Sequence, residues 1–325
     1  MTTKTWRIAA AAAVLLIAAT SFVCATGTSE DGGFPQRPIS YVIPFNPGGQ
    51  SDVTATYQKP YLEDVLGVNV TIRHQPGAGG ALAWANLVNA DPDGYTLSGN
   101  NLPHIIIQPL VRDDAGYETE DLKPLYLFQT TPIGIAVAPD SPFNTLQELV
   151  DYAADHPGEL TVTGSGTHTG HHLAILQLQH QTGTEFTYIP ATGAAPSVAN
   201  FLGGHSQVIM ANSNDLVAHQ DEMKVLAIGT TDRFPQLPEA PTFIEAGVEM
   251  TAGIDRGVCL PPDTPEDVVA VLEAAFDEVS RDPEFRAQMD ELGFVTHSIG
   301  ATEFAEYIDR RKTEIETVLR ELGEI

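Results

Sequence analysis

The chain has 325 residues, 42% hydrophobic and 18% charged, an ordinary globular composition with enough material for a large core. Sixteen Lys and Arg against 43 Asp and Glu give a net charge of −27, and no basic run exceeds Arg310-Arg311-Lys312, so nucleic-acid binding by phosphate neutralisation is excluded. The two cysteines, Cys24 and Cys259, lie far apart with no Cys-x-x-Cys spacing, which argues against a disulfide framework and a thiolate zinc site.

Residues 1–25 read as an export signal: Lys4 and Arg7 precede an apolar run over 8–19 that is short for a membrane span, and small residues follow. Two fates are open. Cleavage after Ala25 would release a soluble chain with Cys259 as its one thiol, whereas lipidation of Cys24 would anchor the chain, with residues 26–33 as a flexible tether. Losing residues 1–25 removes Lys4 and Arg7 but no acid, leaving a charge of −29. An anionic ligand must then be held by local donors. Such an acid excess serves solubility or a high-salt exterior equally well.

After Phe34 short β-branched runs alternate with amphipathic stretches, which predicts an α/β fold with a mainly parallel sheet. Strands are expected at 39–45, 68–73, 95–98, 124–128, 133–138, 160–163, 186–189, 207–210 and 224–229. Thr145-x-x-Glu148 and Thr242-x-x-Glu245 read as capping boxes, Thr264-Pro265 as a helix start, and Phe304, Ile308, Ile315, Leu319 and Leu322 as the apolar stripe of a C-terminal helix. Some 300 residues exceed one core, so two lobes are expected. Hinge crossings are placed near Pro132 and over 253–262.

Three glycine-bearing turns each join a strand to a helix. The first is Asn46-Pro47-Gly48-Gly49-Gln50-Ser51-Asp52, where glycines allow close backbone approach and the helix start presents free N–H groups. It lacks the Lys-Ser/Thr ending of a nucleotide-binding loop, and Asp52 as a simple helix cap is the bland alternative. The second, Gly164 to His172, has neither dinucleotide nor serine-hydrolase spacing. Its His168 and His172 are four apart without the H-E-x-x-H pattern of a zinc site. The third is Pro190 to Pro196. Together they predict a cleft lined by helix N-termini, able to hold an anion with few lysines or arginines.

At these residues the chain resembles the extracytoplasmic substrate receptors of tripartite tricarboxylate transporters, the Bug receptors. The marks are the 41–52 segment, Pro76-Gly77-Ala78-Gly79-Gly80, Asp91-Pro92-Asp93-Gly94-Tyr95-Thr96-Leu97, Leu202-Gly203-Gly204, Leu237 to Thr242 with Glu245-Ala246-Gly247, and Pro261 to Pro265. The resemblance implies a two-lobed, type II-like periplasmic binding protein fold with hinge crossovers. It divides the chain into lobe 1 at 34–131 plus 255–325 and lobe 2 at 132–254. It places Asn46, Gly48, Gly49, Ser51 and Asp52 on the first ligand loop, and Asn101 and His104 on a second loop with Gly99 and Asn100. In the other lobe it places Gly166, Thr167 and Thr169 on one ligand segment, Thr192, Gly193 and Ala194 on another, and Asn212 nearby. Arg256, where many members carry an aromatic, is the candidate partner of a second carboxylate, with an ion pair as its bland alternative.

The expected function is that of a non-catalytic periplasmic receptor, a monomer without cofactor or metal. It would bind a small di- or tricarboxylate or related acid and deliver it to the membrane subunits of a tripartite transporter. Two alternatives stand beside it: a secreted hydrolase or metalloenzyme using His168, His171 and His172 with Asp52, and a ligand sensor of the same fold.

Overall fold

The structure is a computed structural model that describes residues 33–325; the expectations for the leader, for Cys24 and for most of the tether lie outside the described residues. From Arg37 onward the chain forms one compact unit. Two half-sheets meet in a long shared strand, β4 (Lys123–Val137). On one side β1 (Ile39–Ile43) lies between β2 (Val70–His74) and β3 (Thr96–Leu102), all parallel. On the other β5 (Thr161–Gly164) runs parallel to β6 (Thr187–Pro190) and β7 (Val208–Asn212). The first half of β4 pairs with β9 (Gly253–Leu260) and β10 (Val295–Gly300), and the second half with β7 and β8 (Lys224–Ile228), all antiparallel.

The sheet is therefore mixed, not mainly parallel as expected, because β4 and β9 carry the chain between the halves and run against the strands they join. Pro132 and Gly253, the two expected crossings, are direct cross-strand partners. Two of the expected strands, 124–128 and 133–138, are one strand that passes straight through Pro132. Its neighbour Ile133 donates to Ala252 O (2.9 Å), and Gly229 donates to Ile133 O (2.8 Å), which continues the ladder beyond the proline.

Helices α1 (Gln50–Leu66), α2 (Ala81–Val88) and α3 (His104–Val111) belong to the first half, α4 (Leu146–Asp155), α5 (Gly170–Thr182), α6 (Ala194–Leu202) and α7 (Ser213–Ala218) to the second, and α8 (Glu266–Arg281), α9 (Pro283–Glu291) and α10 (Ala301–Glu321) return to the first. Half of the expected box at Thr145 forms: Thr145 Oγ1 accepts from Glu148 N, while the Glu148 carboxylate accepts from Asn144 N, one residue before the cap. Thr242 and Glu245 make both reciprocal bonds of a box, but they close a turn and no helix follows. Thr264 does not cap α8: its hydroxyl donates to Pro261 O, and Pro265 takes the cap position.

Each half has its own core. Ile133, Val162, Leu178, Phe243 and Ile254 pack in the second, while Trp84, Leu102, Ile106, Phe304 and Leu319 join α10 to the first. Among the described residues no helix is long and apolar enough to cross a membrane.

Trp84 is wholly buried, donates from Nε1 to Gly99 O (2.9 Å) and meets Tyr117 edge-on. Trp84→Phe removes the indole donor from that carbonyl, leaving Ser98 Oγ (3.0 Å), and opens space in the core, so a stability loss of about 1–3 kcal/mol is expected in urea denaturation. Carboxylate affinity is expected to stay within about tenfold. A larger affinity loss in a variant that still melts cooperatively would put the indole in contact with ligand.

Candidate functional site

Helices α1, α3 and α6 begin around one small cavity of about 20 Å³. From the first half it is lined by Phe45, Gly49, Gln50 and Ser51 of the β1–α1 turn, Asn101 of β3, and His104 at the start of α3. Ser165, Ala194 and Asn212 line it from the second half, and Ile254 and Arg256 of β9 from between. No carboxylate is among these residues. Two larger surface grooves, about 680 and 710 Å³, carry Asp or Glu side chains in their walls and are poorer homes for an anion.

The cavity's cation is Arg256, 3% exposed. Ladder pairing sets it between Asn101 and Gln129. Its Nη2 donates to Gln50 Oε1, and with the Asn101 amide oxygen turned toward it Nη1 donates there. Its Nε has no hydrogen-bond partner, and no carboxylate oxygen lies within 4 Å of the guanidinium, among the described residues. Burial pulls the guanidinium down to about 9, opposed by Asp215 and Asp255, so it stays cationic at neutral pH. Asp255 points its carboxylate elsewhere, accepting from Thr130 Oγ1 (2.6 Å) and Tyr307 OH (2.7 Å).

A buried polar chain braces this cation. Gln50 donates to Thr131 Oγ1, to which Gln129 also donates (3.3 Å), and Thr54 donates to Gln129 Oε1 (3.1 Å). On the opposite wall His171 Nδ1 accepts from Ser165 N (3.0 Å), which assigns the proton to Nε2, the donor to Asn212 Oδ1 (3.0 Å). Asn212 in turn donates to Asp215 Oδ2 (3.2 Å). This chain fixes the Asn212 amide and the loop that carries Ser165. His104 is 1% exposed, meets Phe45 edge-on, and its Nδ1 has no partner among the described residues.

Burial holds His171 at about 4, with Arg256 acting in the same direction and the Asn212 bond opposing; burial also keeps His104 well below the usual imidazole range. Each folded value lies below the unfolded one near 6.5, so the unfolded chain binds more protons between the two. Stability is then full above about pH 6.5 and falls as the pH drops toward 4, by about 3 kcal/mol for His171. Urea denaturation across pH 4–7 should show this decline, and His171→Gln should lessen it, leaving the shares of His104 and of His172, which burial also lowers to about 4. An unchanged slope in that variant would mean that His171 is not buried neutral.

Seven of the residues placed by resemblance line the cavity: Gly49, Ser51, Asn101, His104, Ala194, Asn212 and Arg256. The other eight do not. Asn46 instead donates across the cleft to Thr192 O (2.7 Å) and Thr192 Oγ1 (3.1 Å), clasping the two halves. Asp52 braces its own turn, accepting from Gly48 N (2.8 Å) and bonding His74 Nε2 (2.6 Å). Thr169 Oγ1 donates to Gly166 O (2.8 Å), which shapes the turn before α5, and Thr167 is exposed, with its carbonyl accepting from Gln108 Nε2 (3.2 Å). Gly193 serves as the backbone cap of α6, at φ +132°. Gly99 to Asn101 lie within strand β3, not on a loop.

Sequence reasoning missed Phe45, Gln50, Ser165 and Ile254. Gln50 and Ser165 sat inside turns already singled out. Phe45 read as the end of the first strand and Ile254 as part of the expected hinge crossing, and their apolar side chains carried no sign of a ligand role. The histidine and Asp52 constellation of the enzyme reading does not assemble: both ring nitrogens of His171 are engaged, and Asp52 is committed to His74 and Gly48. Among the described residues no group of three or more His, Cys, Asp or Glu is placed to hold a metal.

Comparison with known proteins agrees with this geometry. The family described as "Tripartite tricarboxylate transporter family receptor" matches residues 57–323. The UPF0065 protein of the tcbD–tcbE intergenic region of Pseudomonas sp. strain P51 is 30% identical over 288 residues, 86% of this chain and 84% of that protein. Among solved structures, the periplasmic binding protein BugD is 25% identical with a TM-score of 0.85, over 89% of this chain and 99% of that one. MatC from Rhodopseudomonas palustris with bound malate is also 25% identical, with a TM-score of 0.84, over 88% and 100% of the two chains. With the family matched over most of the described residues and the α/β periplasmic binding protein fold in place, the chain belongs to the tripartite tricarboxylate transporter receptors, a family of binding proteins and not of enzymes.

Proposed function

We propose that this chain is an exported receptor that binds a small carboxylate in the cavity beneath Arg256 and delivers it to the membrane subunits of a tripartite transporter, acting as a monomer in the periplasm. The observation that carries the reading is Arg256, a guanidinium 3% exposed, lining a cavity with no acid in its wall and no carboxylate within 4 Å among the described residues. A buried charge is costly unless paired, and a ligand carboxylate supplies the pair. Three helix N-termini at the same cavity favour negative charge further, and they let a chain of charge −27 hold an anion with one cation.

Residues 34–131 plus 255–325 would form one lobe and 132–254 the other, opening and closing about the Pro132–Gly253 pair. Ligand contacts fall to Gly49, Ser51, Asn101, His104, Ala194, Asn212 and Arg256, joined by Gln50 and Ser165. Asn46, Thr192, Gly48, Gly166, Thr167, Thr169, Gly193 and Asp52 shape or clasp the loops that carry them.

The test is a thermal-shift screen of mono-, di- and tricarboxylates against neutral sugars and amines. A bound acid at a hundred times its Kd should add about 2.7 kcal/mol. Absence of a shift with every acid, or an equal shift with neutral sugars, would overturn the proposal.

A further inference from the structure

The motif Pro76 to Gly80 takes no part in the cavity wall, yet it stands where the two halves meet. Gly79 lies at φ +64°, and a Cβ there would collide with Gln108 Nε2 and stand 3.2 Å from Thr167 O. The bare backbone at Gly79 gives the Gln108 side chain its path to the second half.

Gln108 belongs to α3, one turn after His104, so both side chains leave the same face of that helix. His104 lines the cavity, and Gln108 does not. Its Nε2 donates instead to two successive carbonyls of the second half, Thr167 O (3.2 Å) and His168 O (2.9 Å). Aiming both at one amide takes a sharp turn, and His168 adopts φ +54°, uncommon for a residue with a side chain. Just beyond, Leu173 in the first turn of α5 joins the apolar cluster of the first half with Ile106, Phe304 and Leu319. The turn held in this way carries Ser165, which lines the cavity from the second half.

Burial separates the bonds between the halves. The Asn46–Thr192 pair is exposed, so water replaces it readily when the halves part. Gln108 is 0% exposed, and its two bonds are exchanged for water only after the halves have separated. Release of a ligand held between the halves has to break them first.

We infer that Gln108 is a positioning residue of closure: it latches the Ser165 turn to the first half from outside the cavity wall and sets how long a bound acid is retained. The inference rests on the carboxylate reading above and assigns the release step to a side chain that does not line the cavity.

The test compares the parent chain with Gln108→Met, which keeps the volume and removes both donors. Each is loaded with radiolabelled succinate, malate or adipate, and release is followed after a chase of unlabelled acid. Release is expected to quicken at least about fivefold, the effect of two hydrogen bonds, while the association rate, taken with the calorimetric Kd, does not fall. Gly79→Ala leaves Gln108 in place but denies its amide the path, and it should quicken release as well, so either variant serves if the other does not fold. An unchanged release rate, or slower association with unchanged release, would overturn the latch. Should none of the three acids bind the parent, the carboxylate reading falls, and the latch is judged on the unliganded chains by small-angle scattering. A larger radius of gyration in Gln108→Met would support it, and equal radii would overturn it.

Discussion

Arg256→Gln is expected to weaken binding of the tightest carboxylate by at least about a hundredfold, a loss of about 2.7 kcal/mol. The guanidinium is the cavity's one charged side chain, and a charge-assisted bond within a desolvated site contributes about 1.5–3 kcal/mol, more when its loss strands a buried anion. The free protein should respond differently. In it the cation is 3% exposed and has amide partners only, so its burial is poorly compensated. Glutamine keeps a donor for Gln50 and Asn101 while removing that charge, and the unliganded variant is expected to lie within about 1 kcal/mol of the parent, roughly 2–4 °C in Tm. Calorimetry and thermal melts on the same preparation separate the two effects. Affinity within threefold of the parent would show that the cation serves the fold alone.

Gly257→Ala should be the most destabilising small change beside the site. A Cβ there would stand 2.4 Å from Tyr126 O and 2.8–2.9 Å from the Phe304 ring, with backbone on one side and the α10 core contact on the other. Neither can move without shifting β9, the strand that carries Arg256. A loss of at least about 2 kcal/mol is expected in urea denaturation, with weaker carboxylate binding in whatever folds. Gly49→Ala is the contrasting case. Gly49 has φ −78°, and a Cβ would sit 3.5 Å from Asn46 O and 4.0 Å from Ala195 N, so its backbone conformation does not require glycine. Its cost in stability is expected to stay within about 1 kcal/mol. Equal losses for the two variants would mean that the β9 ladder tolerates displacement.

Local signals were legible wherever the cause was local. The Thr145 cap and the apolar stripe of α10 follow from residue chemistry and spacing within one or two turns, and both formed. The same reasoning failed where long-range packing intervened. Thr242 and Glu245 make their reciprocal bonds without a helix, because the chain there turns back to pair Thr242 with Ile228. Strand β10 was not read at all: its residues Val295 to Gly300 include polar Thr, His and Ser, and the strand exists because the edge of β4 offers a ladder.

By itself the sequence determined the class of the molecule: an acidic α/β chain with motif order specific enough to identify the receptor family, although only two of its three glycine turns deliver helix starts, α1 and α6, to the cavity, and α3 brings the third. The resemblance also brought Arg256 forward, at a position where many members of the family carry an aromatic. What the tertiary structure alone decided is the division of labour among the turns. Asp52, Thr169 and Thr192 have the right chemistry to meet a ligand, but neighbours within hydrogen-bond reach claim their oxygens first. Arg256 is left without a carboxylate because Asp255, its neighbour in sequence, points to the other face of β9 and is taken by Thr130 and Tyr307. A strand's alternation assigns adjacent side chains to opposite faces, but which face holds the cavity depends on partners brought together across more than a hundred residues, and spacing along the chain does not encode that.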